Sequence, residues 1–258
     1  MKGKAGTKLA RNVKNTLAGI LTNAKDWEYI THNPLAGVTL PRYRPAKKQA
    51  YSLEHCSAIL ANVSKRYFVV VFFLAETGVR SGEMIIEIPD VDLVERKITI
   101  RQAIWRGEID TPKTDSGIRS FHISERLTKM LIEYIGDRKT GPVFASRTGT
   151  PIDMHNFCSR GLAAARKAAN VGYGDIHTFR HFNATLMDSL KIPGAVKRLR
   201  LGHAGVTVTE GYEDVIEKDE QAAAEQIASM IWTYLEPKLC PSCAPIGHNL
   251  PKGQSKDM

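Results

Sequence analysis

The sequence predicts an α+β fold: a mostly helical domain with a small antiparallel β-sheet set between two groups of helices. Three observations predict this. Apolar residues recur at helical spacing up to about residue 85 and again from residue 124, as in "SERLTKMLIEYI". Between them, "KITIRQAI", "EIDTPK" and "IRSFHI" alternate in the manner of strands. No internal repeat appears, and the order of helices, then strands, then helices points to α+β rather than to βαβ units.

Each element has its own signal. Leu9, Val13, Leu17, Ile20, Leu21 and Ala24 place an amphipathic helix over residues 7–26. "HNPLAGVTLPRYRPAKKQ" follows and reads as an extended basic linker whose prolines fix its geometry. Ser52 is positioned as an N-cap for the helix of "SLEHCSAILANV". "RYFVVVFFLAET" is apolar all round and reads as a buried helix or strand, its length favouring helix; Thr77-Gly78 breaks it, with helix resuming through "VRSGEMIIEI". "TDSG" is the turn of a hairpin. Helical patterns then cover 124–136, 153–170, 177–191, 194–201 and 207–234. Pro193 starts the fourth of these and Gly202 ends it in the left-handed conformation. Thr207 with Glu210 has capping-box spacing, which puts Tyr212 on the first turns of a new helix. The expected organisation is 1–48 as a partial helical region with a basic linker, 49–236 as the main domain, and 237–258 as a flexible tail.

Composition narrows the class. No apolar run reaches membrane-spanning length, and the N-terminus lacks the apolar core of a signal peptide. Four scattered cysteines form no disulfide framework and fit a reducing, cytoplasmic setting. Cys240, Cys243 and His248 fall one ligand short of a structural zinc site, so no metal is expected. The net charge of +9 is concentrated: residues 1–50 hold ten Lys or Arg against two acids, and the remainder holds twenty-six against twenty-five. Such a basic segment suits a polyanionic partner or simply keeps the protein soluble.

Four stretches carry candidate chemistry. In "DIHTFRHFNATLMDSL", Phe179, Phe182, Leu186 and Leu190 form an apolar stripe. His177, Arg180 and His181 lie on the opposite, outward face. An imidazole and a guanidinium three residues apart suit a phosphate, because the planar fork donates two hydrogen bonds and the ring adds a third. In "AETGVRSGEM", Glu83 can hold Arg80 by an i,i+3 pair. Lys113 stands beside the "DSG" turn, where an ammonium on a flexible stem can give a proton to a docked substrate. "LGHAGVTVTEGYED" sets His203 just past a helix end and Tyr212 nine residues later.

Arg80, Lys113, His177-x-x-Arg180, Gly202-His203 and Tyr212, in that order, resemble the tyrosine recombinases, and more closely the phage-type integrases. "TGVRSGEM" resembles that family's first arginine box, "TPKT" its hairpin lysine, "HTFRH" its second box and "LGHAGVTVTEGY" its histidine-to-tyrosine step. The resemblance runs over about residues 50–215, and "NPLAGVTLPRYRP" resembles the interdomain linker. The sequence departs from the family in three places. One helix precedes the linker where the family carries a four-helix core-binding domain, "EIPDVDL" lacks a frequent tryptophan, and "ED" follows the tyrosine in place of a common histidine.

The resemblance implies site-specific DNA integration or excision by transesterification through a 3′-phosphotyrosyl intermediate, without cofactor. It makes Tyr212 the nucleophile, Arg80 and Arg180 the clamp on the non-bridging oxygens, and His203 a further donor to the phosphate. His177 would take or relay the tyrosine proton, and Lys113 would protonate the leaving 5′-oxygen. Glu83 and His181 are supporting residues. Lys8, Arg11, Arg42, Arg44, Lys47, Lys48 and Arg198 are candidates for contacts with the DNA backbone. The implied partner is duplex DNA bearing an attachment site, met by a homotetramer on paired sites, with accessory DNA-bending proteins possible. Two alternatives stand beside this: a truncated DNA-binding remnant without catalysis, and relaxation of supercoils by type IB topoisomerase chemistry. The segment "QAAAEQIASMIW" reads as a helix docking on a neighbouring subunit or on its own domain.

Overall fold

A computed structural model describes residues 4–42, 49–105, 108–110, 118–202 and 213–239. The chain divides into two compact units, Met1–Lys48 and Gln49–Met258.

The first unit is one long helix, α1 (Lys4–Asp26), and the chain that follows it. Glu28 turns the chain in a left-handed conformation (φ 61°). Asn33 fastens the return by accepting from Leu35 N at 2.9 Å and donating to Thr22 Oγ1 at 3.3 Å. Lys14 donates to Val38 O and Arg11 to Pro41 O, so residues 38–41 lie back along the helix. The expected linker is thus folded onto α1 over this stretch rather than simply extended.

The second unit is built around α3 (Lys65–Thr77), whose Val70–Ala75 run is wholly buried. It packs against α2 (Leu53–Asn62), α4 (Glu125–Ile135), α7 (Ile176–Ser189) and α9 (Glu213–Leu235). Being enclosed on all sides explains why its sequence shows no polar face. Ser52 caps α2 by accepting from His55 N, as its position suggests, and Ser124 caps α4. Between α3 and α4 run β1 (Val91–Asp92), β2 (Lys97–Ile100), β3 (Ala103–Trp105), β4 (Glu108–Asp110) and β5 (Arg119–His122). They form two antiparallel sheets, β1-β2-β5 and the hairpin β3-β4. The expected alternating segments are therefore strands, but β5 pairs with β2 (Ile98 opposite Phe121) rather than with its sequence neighbour β4.

Two local expectations are corrected and one open choice is decided. Helix does not resume through "VRSGEMIIEI": only a 3-10 turn, Ser81–Met84, forms before an extended stretch. Gly78 ends α3 in the left-handed region (φ 64°), and Glu83 then folds back to accept from Arg80 N, which closes a single turn. The helix expected over 153–170 is interrupted: α5 (Met154–Asn156) and α6 (Ala163–Ala168) are joined by a π-helical turn, Phe157–Leu162. In α9, Ala223, Ala224, Ile227, Ala228, Ile231 and Leu235 are buried against the helices of its own unit. Of the two docking surfaces open for it, the helix uses the intramolecular one.

Candidate active site

The site gathers at the C-terminal end of α8 (Gly194–Leu201), which Gly202 closes in the left-handed conformation (φ 61°). The last carbonyls of a helix have no partner within it and carry the negative end of its dipole. Here three consecutive carbonyls each accept from an arginine brought in from elsewhere. Arg119, at the start of β5, donates Nε–H to Arg200 O at 3.1 Å. Arg180 of α7 donates from Nη2 to Leu201 O at 2.5 Å. Arg80, beyond the end of α3, donates from Nη2 to Gly202 O at 3.2 Å. Three guanidiniums that would repel one another are thus collected around one helix end.

A single carboxylate is shared between two of them. Glu83 accepts from Arg80 Nη1 at 2.8 Å and Arg80 N at 2.7 Å. It also accepts from Arg119 Nη1 at 3.0 Å and Arg119 Nη2 at 2.9 Å. Burial alone would raise its pKa, but the hydrogen bonds and charge of Arg119, followed by the backbone and side-chain hydrogen bonds of Arg80, hold it down at about 2. The Arg180 pKa is lowered too, from 12.5 to about 10, first by burial and then by the neighbouring charge of Arg80, with a smaller push from Arg119. It remains a cation at neutral pH, and an incoming anion would relieve the repulsion.

The cluster is graded in exposure. The Arg80 side chain is 45 % exposed, whereas Arg180 is only 6 % exposed. The outward face foreseen for α7 is therefore half right. His177 is exposed, but Arg180 turns inward because the ends of α3 and α8 cover it with two carbonyls that need donors: its Nη1 also reaches Gly78 O at 3.0 Å. His177 lies in the first turn of α7, whose start is fixed by a capping box between Asp175 and Thr178. The His177 and His181 rings meet edge to face at 4.7 Å. Asn183, one turn beyond Phe179, binds α7 to α3 through Ala75 O and Glu76 O at 3.0 and 2.7 Å.

Behind these residues a fourth arginine, Arg200, is fully buried. It donates to Glu220 of α9 and to His122 O of β5, while Glu220 accepts from His122 N and lies 2.6 Å from His122 Nδ1. This network pins α9 to α8 and β5. Among the DNA-contact candidates, Lys8, Arg42 and Arg198 are exposed, and Arg11 is engaged with Pro41 O. Arg44, Lys47, Lys48, Lys113, His203 and Tyr212 lie outside the described residues, as do Thr207, Glu210, Cys240, Cys243 and His248. Among the described residues, no cluster of side chains could hold a metal ion. None of the helices described is long and apolar enough to cross a membrane.

Sequence reasoning missed Arg119 and Arg200, and each left a signal. Alternation in "IRSFHI" puts Arg119 in phase with the buried Phe121, and Arg200 follows the buried Val196 by four residues. A charge in an apolar phase has to find a partner inside.

Residues 47–218 match the phage integrase family. Among curated relatives, the integrase of Mycobacterium phage D29 is 23 % identical over 243 residues, covering 88 % of this chain and 64 % of its own length. The integrase of Mycobacterium phage L5 is 22 % identical, covering 86 % of this chain and 63 % of its own length. The chain thus spans a little under two thirds of these relatives. Among solved structures, the fold is similar to that of the Tn1549 transposon integrase in complex with a circular intermediate DNA (TM-score 0.67, 17 % identity, covering 88 % of this chain and 74 % of that one). It is also similar to a lambda integrase dimer bound to a core site (TM-score 0.57, 17 % identity, 77 % and 72 % covered).

Proposed function

The chain belongs to the phage integrase family, and from that premise we propose that it breaks and rejoins duplex DNA at a specific attachment site, using Tyr212 as nucleophile. The observation that carries this reading is the convergence of Arg80 and Arg180 on adjacent carbonyls at the end of α8, one residue before His203. A phosphodiester under attack gains charge on its non-bridging oxygens as phosphorus approaches five-coordination. Two guanidiniums fixed before the substrate arrives can neutralise that charge without reorganising.

In this scheme Tyr212 Oη bonds to phosphorus, and its proton passes to His177 or through it to water. The bond from phosphorus to the 5′-oxygen breaks, and Lys113 supplies the proton that makes this oxygen a competent leaving group. A 3′-phosphotyrosyl bond results. It keeps the energy of the phosphodiester, so attack by a 5′-hydroxyl reverses the step and joins a new strand. His203 adds a donor to the phosphate. The basic first unit, with Lys8, Arg11, Arg42, Arg44, Lys47 and Lys48, together with Arg198, would meet the DNA backbone. Assembly on paired sites would be tetrameric, as in the lambda integrase tetramer solved on a Holliday junction.

The test uses a pool of randomised duplexes, each nicked so that cleavage releases a short strand that diffuses away and traps the enzyme. The full chain should yield a covalent protein–DNA adduct on a denaturing gel in the presence of EDTA, and Tyr212→Phe should yield none. A strict requirement for magnesium, or an adduct with Tyr212→Phe, overturns the scheme. Retained duplex without any adduct would point instead to DNA binding without cleavage.

A further inference from the structure

We propose that Arg119 is a positioning residue for strand cleavage: it fixes Glu83, and through Glu83 the phosphate-clamping Arg80, against the end of α8 that leads to His203. The inference rests on the site being a DNA-cleaving centre.

The geometry is that of a keystone between separate pieces of chain. Both Arg119 Nη groups go to Glu83, one to each oxygen, and its Nε–H goes to Arg200 O. Each Glu83 oxygen then takes a second bond from Arg80, one from the side chain and one from the backbone. An Arg/Glu pair three residues apart contributes little by itself and would not alone hold a half-exposed guanidinium in one place. Arg119 changes that by seating the carboxylate from the buried side. It presses on α8 as well, since a Cβ on Gly202 would come within 2.7 Å of Arg119 Nη1. Its backbone starts β5, six residues after Lys113. One buried side chain therefore sets the places from which the Arg80, His203 and Lys113 segments depart.

A side chain needed only to fill this inward strand position would be apolar, because burying a charge is costly unless every donor is used to advantage. Lysine cannot replace it, since a single ammonium cannot span both carboxylate oxygens and a carbonyl at once.

The test compares Arg119→Met, Arg119→Lys and Glu83→Gln in the full chain, with and without Arg80→Ala. The nicked duplex pool serves as probe. If Arg119 acts through Arg80, Arg119→Met should slow single-turnover adduct formation about thirtyfold or more while changing duplex affinity less than about threefold. Arg119→Lys should not restore the rate. In the Arg80→Ala background, Arg119→Met should cost less than about threefold more. Fully multiplicative losses, or a rate loss matched by lost binding, overturn the proposal.

A readout independent of cleavage separates this from failure of the functional reading. In ¹⁵N-labelled protein, the Arg80 guanidinium signals, identified by their absence in Arg80→Lys, should move in both Arg119→Lys and Arg119→Met. Backbone amides of α2 and α6 should stay in place. Unchanged Arg80 signals overturn the positioning role whether or not an adduct forms. If wild type gives no adduct and the signals move, the cleavage reading fails and the coupling stands. Arg119→Lys keeps the charge, so it supplies the result should Arg119→Met not fold.

Discussion

Arg180 serves two ends at one atom group. Its Nη1 and Nη2 close the carbonyls of Gly78 and Leu201, joining the ends of α3 and α8, and the remaining N–H groups belong to the same planar fork. Arg180→Lys keeps a positive charge but can satisfy only part of this arrangement. We expect a stability loss of about 1–3 kcal/mol in chemical denaturation, from a carbonyl left unpaired. Adduct formation should fall on the order of a hundredfold, the effect of removing one preorganised donor. An Arg180→Lys protein as active as wild type would show that the fork is structural only. For Lys113 the discriminating chemistry is the leaving group. Once the cleavage site is known, replacing the 5′-bridging oxygen with sulfur provides a leaving group that needs no proton. Lys113→Ala should then cleave the sulfur substrate at close to the wild-type rate while staying slow on ordinary DNA. Equal impairment on both substrates would remove Lys113 from the role of acid.

At the scale of elements, glycines decide how closely the pieces approach. Gly82 lies under the β3–β4 hairpin, where a Cβ would sit 2.6 Å from Ile104 O, so the strand pair leading towards Lys113 can rest directly on the Arg80 turn. Gly202 combines a left-handed backbone with contact against Arg119. Gly202→Ala should cost about 1–2 kcal/mol for the conformation alone, and more from the displaced guanidinium. It should lower the melting temperature and slow adduct formation together. An alanine variant with unchanged stability would refute the packing argument. The helix after Tyr212 is anchored rather than loose: Ile227 is fully buried, so Ile227→Ala should cost about 2–5 kcal/mol by thermal or urea unfolding. A loss below 1 kcal/mol, roughly what an exposed site gives, would mean that α9 is not docked as described.

At the scale of the whole molecule, two buried carboxylates shape stability against pH with opposite signs. Glu83 is held at about 2, below its ordinary value of 4.5, because Arg119 and Arg80 outweigh its burial. Its contribution is present above pH 4.5 and is lost as pH falls through 4.5 towards 2; with little solvent screening it is about 2–3 kcal/mol. Glu76 goes the other way, to about 7. Burial raises it, and the two hydrogen bonds from Ser124 and the charge of Arg200 only partly offset this. The folded state therefore holds the Glu76 proton more tightly than the unfolded chain, and stability falls as pH rises from 4.5 through about 7. These two groups together put the maximum near pH 4.5. In urea titrations, Arg119→Met should flatten the acid limb and Glu76→Gln the neutral one. Unaltered limbs in either variant would refute the corresponding assignment.

Much of this was legible in the sequence, because periodicity, caps and breakers act locally. The spacing of Leu9 to Ile20 marked α1, Ser52 capped its helix, and the apolar run after Arg66 pointed to a buried element. The order of Arg80, His177, Arg180 and Glu83 in their motifs likewise needed no coordinates. What the sequence could not express was which backbone groups would be left without partners once the helices packed. The end of α8 offers three carbonyls in a row, and only the fold shows that Arg80, Arg119 and Arg180, a hundred residues apart at the extremes, come to satisfy them. The same long-range demand turned Arg180 inward from an outward face, paired β5 with β2, and placed Arg119 and Arg200 in apolar positions. Local pattern determined which elements form and which residues bear charge. Tertiary structure decided where that charge was needed, because the cost of an unpaired buried polar group is felt only where distant segments meet.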